Sequence, residues 1–127
     1  MVMNIGKLLS KDYGNVEYDI HKVVQSAYSE GVLVKVIIET SLLDNNSKVM
    51  ACKLAEKASA DFVKTSTGFN GGGATIEDVI LIKNSVSSKV QVKASGGIKT
   101  YEFAKALVEA GCTRLGTSAV KAIMETG

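Results

Sequence analysis

Short runs rich in β-branched residues recur along this chain, and each is followed by a turn and then by apolar residues at helical spacing. The runs occupy residues 33–39, 62–65, 90–94 and 113–116. Between them the apolar pattern switches to steps of three and four. Ile76, Val79, Ile80 and Ile82 fill one interval, and Phe103, Ala104, Leu107 and Val108 the next. Thr75, with Asp78 three residues on, has the form of a capping box, Thr100 caps the following helix, and Gly111 stops it. Upstream, Val16, Ile20, Val23, Val24 and Ala27 predict a helix capped by Asn15 and closed by Gly31. Residues 44–47 offer N-caps for a helix over 48–58, and residues 118–124 start a last one. The period is about thirty residues, the length of one strand–helix unit. Residues 1–4 read as the end of a further strand, and residues 11–14 as a polar turn. The class is therefore α/β with a parallel sheet. An open doubly wound sheet and part of a βα barrel both fit this order, and polar, reactive residues at the carboxyl ends of successive strands favour the barrel.

Composition narrows the function classes. A chain of 127 residues, 46% hydrophobic and 22% charged, suits one soluble domain with a real core. A net charge of +2 gives no electrostatic case for nucleic acid or an anionic membrane. Apolar groups such as Val36-Ile37-Ile38 are too short to span a bilayer, and no secretory signal is visible. Cys52 and Cys112 have no metal-ligand spacing around them and read as reduced, buried thiols of a cytoplasmic protein. His21 lies on a helix without a triad arrangement and reads as a surface histidine.

Two lysines stand out inside strands. Lys64 ends the run Phe62-Val63, and Lys93 sits in Val90-Gln91-Val92-Lys93-Ala94. A lysine in a buried strand is costly unless something uses it. Desolvation and a neighbouring cation both favour the neutral amine, which attacks carbonyls to form a Schiff base. The plainer alternatives are a strand-end lysine snorkelling to solvent and a barrel-lining lysine paired with a carboxylate. Lys35, among Val34, Val36 and Ile37, also needs polar company. The glycine turns suggest anion binding, because Gly96-Gly97 before Thr100, and Gly116-Thr117-Ser118, present backbone N–H groups near helix starts. Gly68, Gly96, Gly97, Lys99, Gly116 and Ser118 are accordingly assigned to a phosphate, with Lys99 as counter-charge. Singly, each glycine also reads as a plain turn or cap. Gly71-Gly72-Gly73 reads as a flexible connector.

Three blocks carry a resemblance: Val34-Lys35-Val36-Ile37-Ile38-Glu39-Thr40, Phe62-Val63-Lys64-Thr65-Ser66-Thr67-Gly68 and Val92-Lys93-Ala94-Ser95-Gly96-Gly97. In order and spacing they closely resemble deoxyribose-phosphate aldolase, a class I aldolase with a TIM-barrel fold. The likeness implies the last five strands of an eight-stranded barrel, so that residues 1–127 form one C-terminal barrel fragment, strands four to eight. It implies reversible cleavage of 2-deoxy-D-ribose 5-phosphate to acetaldehyde and D-glyceraldehyde 3-phosphate in deoxyribonucleoside catabolism. Lys64 would form the imine, Lys93 would lower its pKa, and Lys35 would join a proton relay. Neither metal nor cofactor is implied. The relay aspartate of the family stands immediately before the block that opens here at Met1, so no residue here is assigned its role. Relatives with a basic residue after the Gly68 position differ from this chain, which has Phe69. Other expectations are a homo-oligomer in which copies cover each other's open edges, and neither nucleic-acid nor membrane partners. Two alternatives stay open: a non-catalytic phosphate-binding half-barrel, and another sugar-phosphate βα-barrel enzyme.

Overall fold

Four parallel strands lie side by side in the order in which the chain makes them: β1 (Lys35–Ile37), β2 (Phe62–Lys64), β3 (Gln91–Ser95) and β4 (Arg114–Gly116). This is a computed structural model, and it describes residues 1–69 and 71–126. The helices are α1 (Ile5–Leu9), α2 (Tyr13–Ser29), α3 (Asn45–Lys57), α4 (Ile76–Ser85), α5 (Tyr101–Ala110) and α6 (Val120–Thr126), with a 3₁₀ turn at Thr40–Leu42. Strand order without a reversal has a direct consequence. Right-handed crossovers that all step the same way put every helix on the same side of the sheet. Neighbouring helices from α2 to α6 do pack in sequence against each other. A doubly wound sheet would reverse and cover both faces. Among the described residues one face carries the helices and the other carries none, which makes the fold a partial βα barrel.

The two faces follow from strand alternation. Val36, Val63, Val92 and Ala94 point to the helices and are fully buried, together with Ile38, Val79, Ile82 and Leu107. The other face carries Lys35, Phe62, Lys64, Lys93 and Arg114, because Lys35 pairs in register with Phe62, Lys64 with Lys93, and Lys93 with Arg114. Beside β1, Val2 forms a single parallel bridge to Ile37, and the Met3 N–H reaches the Ile37 carbonyl at 2.9 Å. The fifth strand is thus represented by one bridge rather than a full element.

The expected caps form at three helices. Asp44 accepts the Ser47 N–H at 2.7 Å, Thr75 that of Asp78 at 3.1 Å, and Thr100 that of Phe103 at 3.2 Å. Asp78 does not complete a capping box; its carboxylate takes Lys48 at 2.7 Å and ties α4 to α3. Near the N-terminus the structure differs from expectation. Residues 5–9 are helical, α2 begins at Tyr13, and Asn15 lies inside it, donating to Asp12 at 2.8 Å. A five-residue helix is too short to show a period, so its cap, Asn4, was not legible. The thiols of Cys52 and Cys112 are buried and free, and burial pushes Cys52 up to about 12. Among the described residues no helix is long and apolar enough to cross a membrane.

Candidate active site

The site lies where the strands end. Lys64 is the last residue of β2 and Lys93 its in-register neighbour on β3, so both side chains leave the same face. Adjacent strands are about 4.8 Å apart, which brings the two stems side by side. Lys35 sits on that face at the start of β1, and Arg114 on it in β4. Both lie over the ring of Phe62, with Lys35 Nζ 5.7 Å and Arg114 Cζ 4.8 Å from its centroid. Phe62, 1% exposed, is therefore sealed by cations rather than by a second apolar layer. Among the described residues none of the four cations forms a salt bridge.

That concentration of charge appears in Lys93. Its ammonium is held below the usual lysine range, first by burial and then by the like charges of Lys64, Lys35 and Arg114. The Met1 α-ammonium is also pushed down, by burial and by Lys64 and Lys35, which places those two lysines close to residue 1. Gly116 makes room for Lys93. A Cβ there would stand 3.0 Å from Ser95 Cβ and 3.3 Å from Lys93 Cε.

Beyond the lysines the strand ends open into a cleft of about 500 Å³. Gly68, Gly96, Gly97, Lys99, Gly116 and Ser118 all line it, together with Lys64. Lys93, level with Lys64, and Lys35 do not line it. Among the described residues, no hydrogen bond within the chain uses the backbone N–H of Gly68, Gly96, Gly97 or Ser118. Four unpaired donors from three strand ends, with the Lys99 ammonium at the rim, suit an anion. Hydroxyls fix the strand ends: Ser95 N–H donates to Thr65 Oγ1 at 3.1 Å, Ser95 Oγ to the Ser66 carbonyl at 2.6 Å, and Thr117 Oγ1 to the Ile98 carbonyl at 2.6 Å.

The glycine run after β2 packs closely at its far end. Ala74 N–H bonds the Gly96 carbonyl at 3.0 Å, and a Cβ on Gly73 would sit 2.5 Å from that oxygen. Gly96, at φ +91°, faces the Gly73 Cα at 2.9 Å by the same measure, so two backbones touch where side chains would hold them apart. Asp61 points away from the cleft; its carboxylate accepts the Val34 N–H at 2.8 Å below the strands. His21 is exposed on α2, as expected.

Three residues near the site escaped the sequence reading. Arg114 was hidden in a run read only as a strand. Thr67 was read as part of a hydroxyl stretch, and it lines the cleft. Glu39 was read as the end of a strand, yet it is 1% exposed and left-handed at φ 51°. A charged residue closing an apolar run was its only signal. Among the described residues no cluster of His, Cys, Asp and Glu has the form of a metal site.

No family model matches the sequence. Curated relatives do. The chain is similar to the deoxyribose-phosphate aldolase of Streptococcus sanguinis, at 59% identity over 125 residues, 98% of this chain and 56% of that protein. A solved structure from Coccidioides immitis, described as a candidate deoxyribose-phosphate aldolase, superposes with a TM-score of 0.92 at 48% identity, covering 99% of this chain and 51% of that one. The tetrameric deoxyribose phosphate aldolase of Aeropyrum pernix matches with a TM-score of 0.83 at 33% identity, over 89% of this chain and 49% of that one. The chain spans about half the length of the curated relatives it matches.

Proposed function

From its likeness to deoxyribose-phosphate aldolases over about half of their length, we propose that the chain belongs with them and that its strand-end lysines perform Schiff-base aldol chemistry on 2-deoxy-D-ribose 5-phosphate. The observation that carries this reading is the in-register pairing of Lys64 with Lys93 on the face away from the helices, at the mouth of a cleft rich in unpaired N–H groups.

The Lys64 amine adds to the C1 aldehyde of the open-chain sugar, and loss of water gives a protonated imine. The imine draws the electrons of the C2–C3 bond as that bond breaks, while the C3 hydroxyl loses its proton. D-glyceraldehyde 3-phosphate leaves, and an enamine stays on Lys64. Protonation at C2 and hydrolysis then release acetaldehyde and restore the amine. The imine supplies the electron sink, so the scheme calls on no metal. Lys93 is the charge partner of Lys64, and Lys35 adds to the same field. The cleft formed by Gly68, Gly96, Gly97, Lys99, Gly116 and Ser118 takes the phosphate.

A second assignment is favoured by one observation. Because burial and three neighbouring cations lower the Lys93 ammonium, that amine is the rival nucleophile. Lys64 lines the cleft and Lys93 does not, which argues for Lys64. Incubation with acetaldehyde and borohydride, followed by peptide mapping, separates the two. We expect a reduced adduct on Lys64, lost in Lys64→Arg. An adduct on Lys93 reverses the roles, and no adduct on either leaves a phosphate-binding half-barrel without chemistry.

The family reaction belongs to deoxyribonucleoside catabolism in the cytoplasm, and that setting comes with the proposal. So does self-association, which the tetrameric Aeropyrum pernix relative supports. Light scattering at micromolar concentration should give more than the monomer mass.

A further inference from the structure

We propose that Glu39 is a positioning residue for the phosphate cleft, acting through Thr67 on the donor offered by Gly68. This rests on the reading of the cleft as a phosphate site.

Glu39 follows β1, and its backbone is pinned on both sides. Ile38 N–H bonds the Lys64 carbonyl at 3.0 Å and Thr40 N–H the Thr65 carbonyl at 2.9 Å. Between these bonds Glu39 takes the left-handed conformation, at φ 51°, that non-glycine residues rarely adopt. Strain of this kind persists where the surroundings over-determine it, and it clusters at functional sites. The conformation brings a carboxylate, 1% exposed, under the loop that leaves β2. There it accepts the Thr67 N–H at 3.1 Å and the Thr67 hydroxyl at 2.6 Å. The hydroxyl, committed as a donor to Glu39, accepts the Phe69 N–H at 3.2 Å. Of three consecutive N–H groups, those of Thr67 and Phe69 are thus consumed and that of Gly68 is left over, at the cleft wall.

The charge of Glu39 does not explain its presence. A buried anion close to an anion site opposes the ligand by Coulomb's law. Its geometry does explain it. A carboxylate has two oxygens that accept only, so it takes both the N–H and the O–H of one threonine. A neutral carboxamide accepts through one oxygen only and turns an NH2 donor toward the loop, and charge-assisted bonds of this length are the strong ones. The residue therefore sets which N–H of the loop faces a ligand, at the expense of some attraction for it.

The test uses the full chain, ¹⁵N-labelled and titrated with inorganic phosphate, in native form and as Glu39→Gln and Thr67→Val. Phosphate should shift the amides of Gly68, Gly96 and Gly97 in the native protein. Glutamine keeps one acceptor oxygen of two, so Glu39→Gln should weaken phosphate binding about tenfold, as loss of a charge-assisted bond would, and displace the Gly68 amide resonance before any ligand is added. Borohydride trapping of acetaldehyde, which carries no phosphate, should change far less than phosphate affinity; a protein that merely unfolds loses both together. Thr67→Val should reproduce the loss, and the double variant should add little to it, because both break one link. If the native protein binds phosphate and Glu39→Gln binds it equally well with the Gly68 resonance in place, Glu39 is not a positioning residue. If the native protein shows no phosphate-dependent shift, the phosphate reading of the cleft fails first and this inference with it.

Discussion

The two faces of one four-stranded sheet are built by opposite rules. Toward the helices, Val36, Val63, Val92 and Ala94 are fully buried, each closed in by α-helical side chains. One residue away along the same strands, Lys35, Lys64 and Lys93 share the other face with Arg114 of β4, with like charges as neighbours and Phe62 beneath Lys35 and Arg114. The first face is stabilised by what it excludes. The second has only the Phe62 ring to set against the repulsion among its cations. The apolar contacts sit on one side of the sheet and the clustered cations on the other.

The largest effects should therefore come from the helix side. Ile38→Ala, at a fully buried position next to the site, should cost about 2–5 kcal/mol, as large-to-small core substitutions do. Lys35→Ala, three residues earlier on the opposite face, should leave the denaturation midpoint unchanged or raise it by relieving repulsion. Equal losses in the two variants, measured by urea denaturation, would erase the contrast. A smaller effect is expected where the faces meet, at the strand ends. Gly96→Ala introduces a Cβ at φ +91° and against the Gly73 Cα, and should cost about 1–3 kcal/mol, the range for strained backbone positions. Because Gly96 also lines the cleft, its loss should show in phosphate titration as well as in the midpoint.

Much of this contrast was legible in the sequence, and the missing parts share a cause. β-branched runs, threonine caps and the lysines at 64 and 93 announce themselves locally, because their physics is one of neighbours along the chain. Thr75 and Thr100 cap the helices they were expected to cap. Glu39 and Arg114 act through partners 28 residues away, in Thr67, and on another strand, over Phe62. Spacing carries no trace of such pairs. The glycine run shows the same limit: Gly71-Gly72-Gly73 suggests freedom, whereas Gly72 lies against Ser41 and Gly73 against Gly96. Strand register, which decides whether two lysines meet or miss by a residue, is a tertiary fact.

Register is also where the account is most open to contradiction. If Lys64 and Lys93 share a field, the Lys93 ammonium should titrate below the ordinary lysine value of 10.5. A folded-state pKa lowered in this way means the folded protein binds fewer protons than the unfolded chain. Stability should accordingly rise with pH between the depressed value and 10.5, and change no further above both. The direct measurement is NMR titration of the Lys93 side chain in the native protein and in Lys64→Met. A depressed pKa that climbs when the Lys64 charge is removed is the predicted result. A Lys93 that titrates as a free lysine in both proteins would contradict the account.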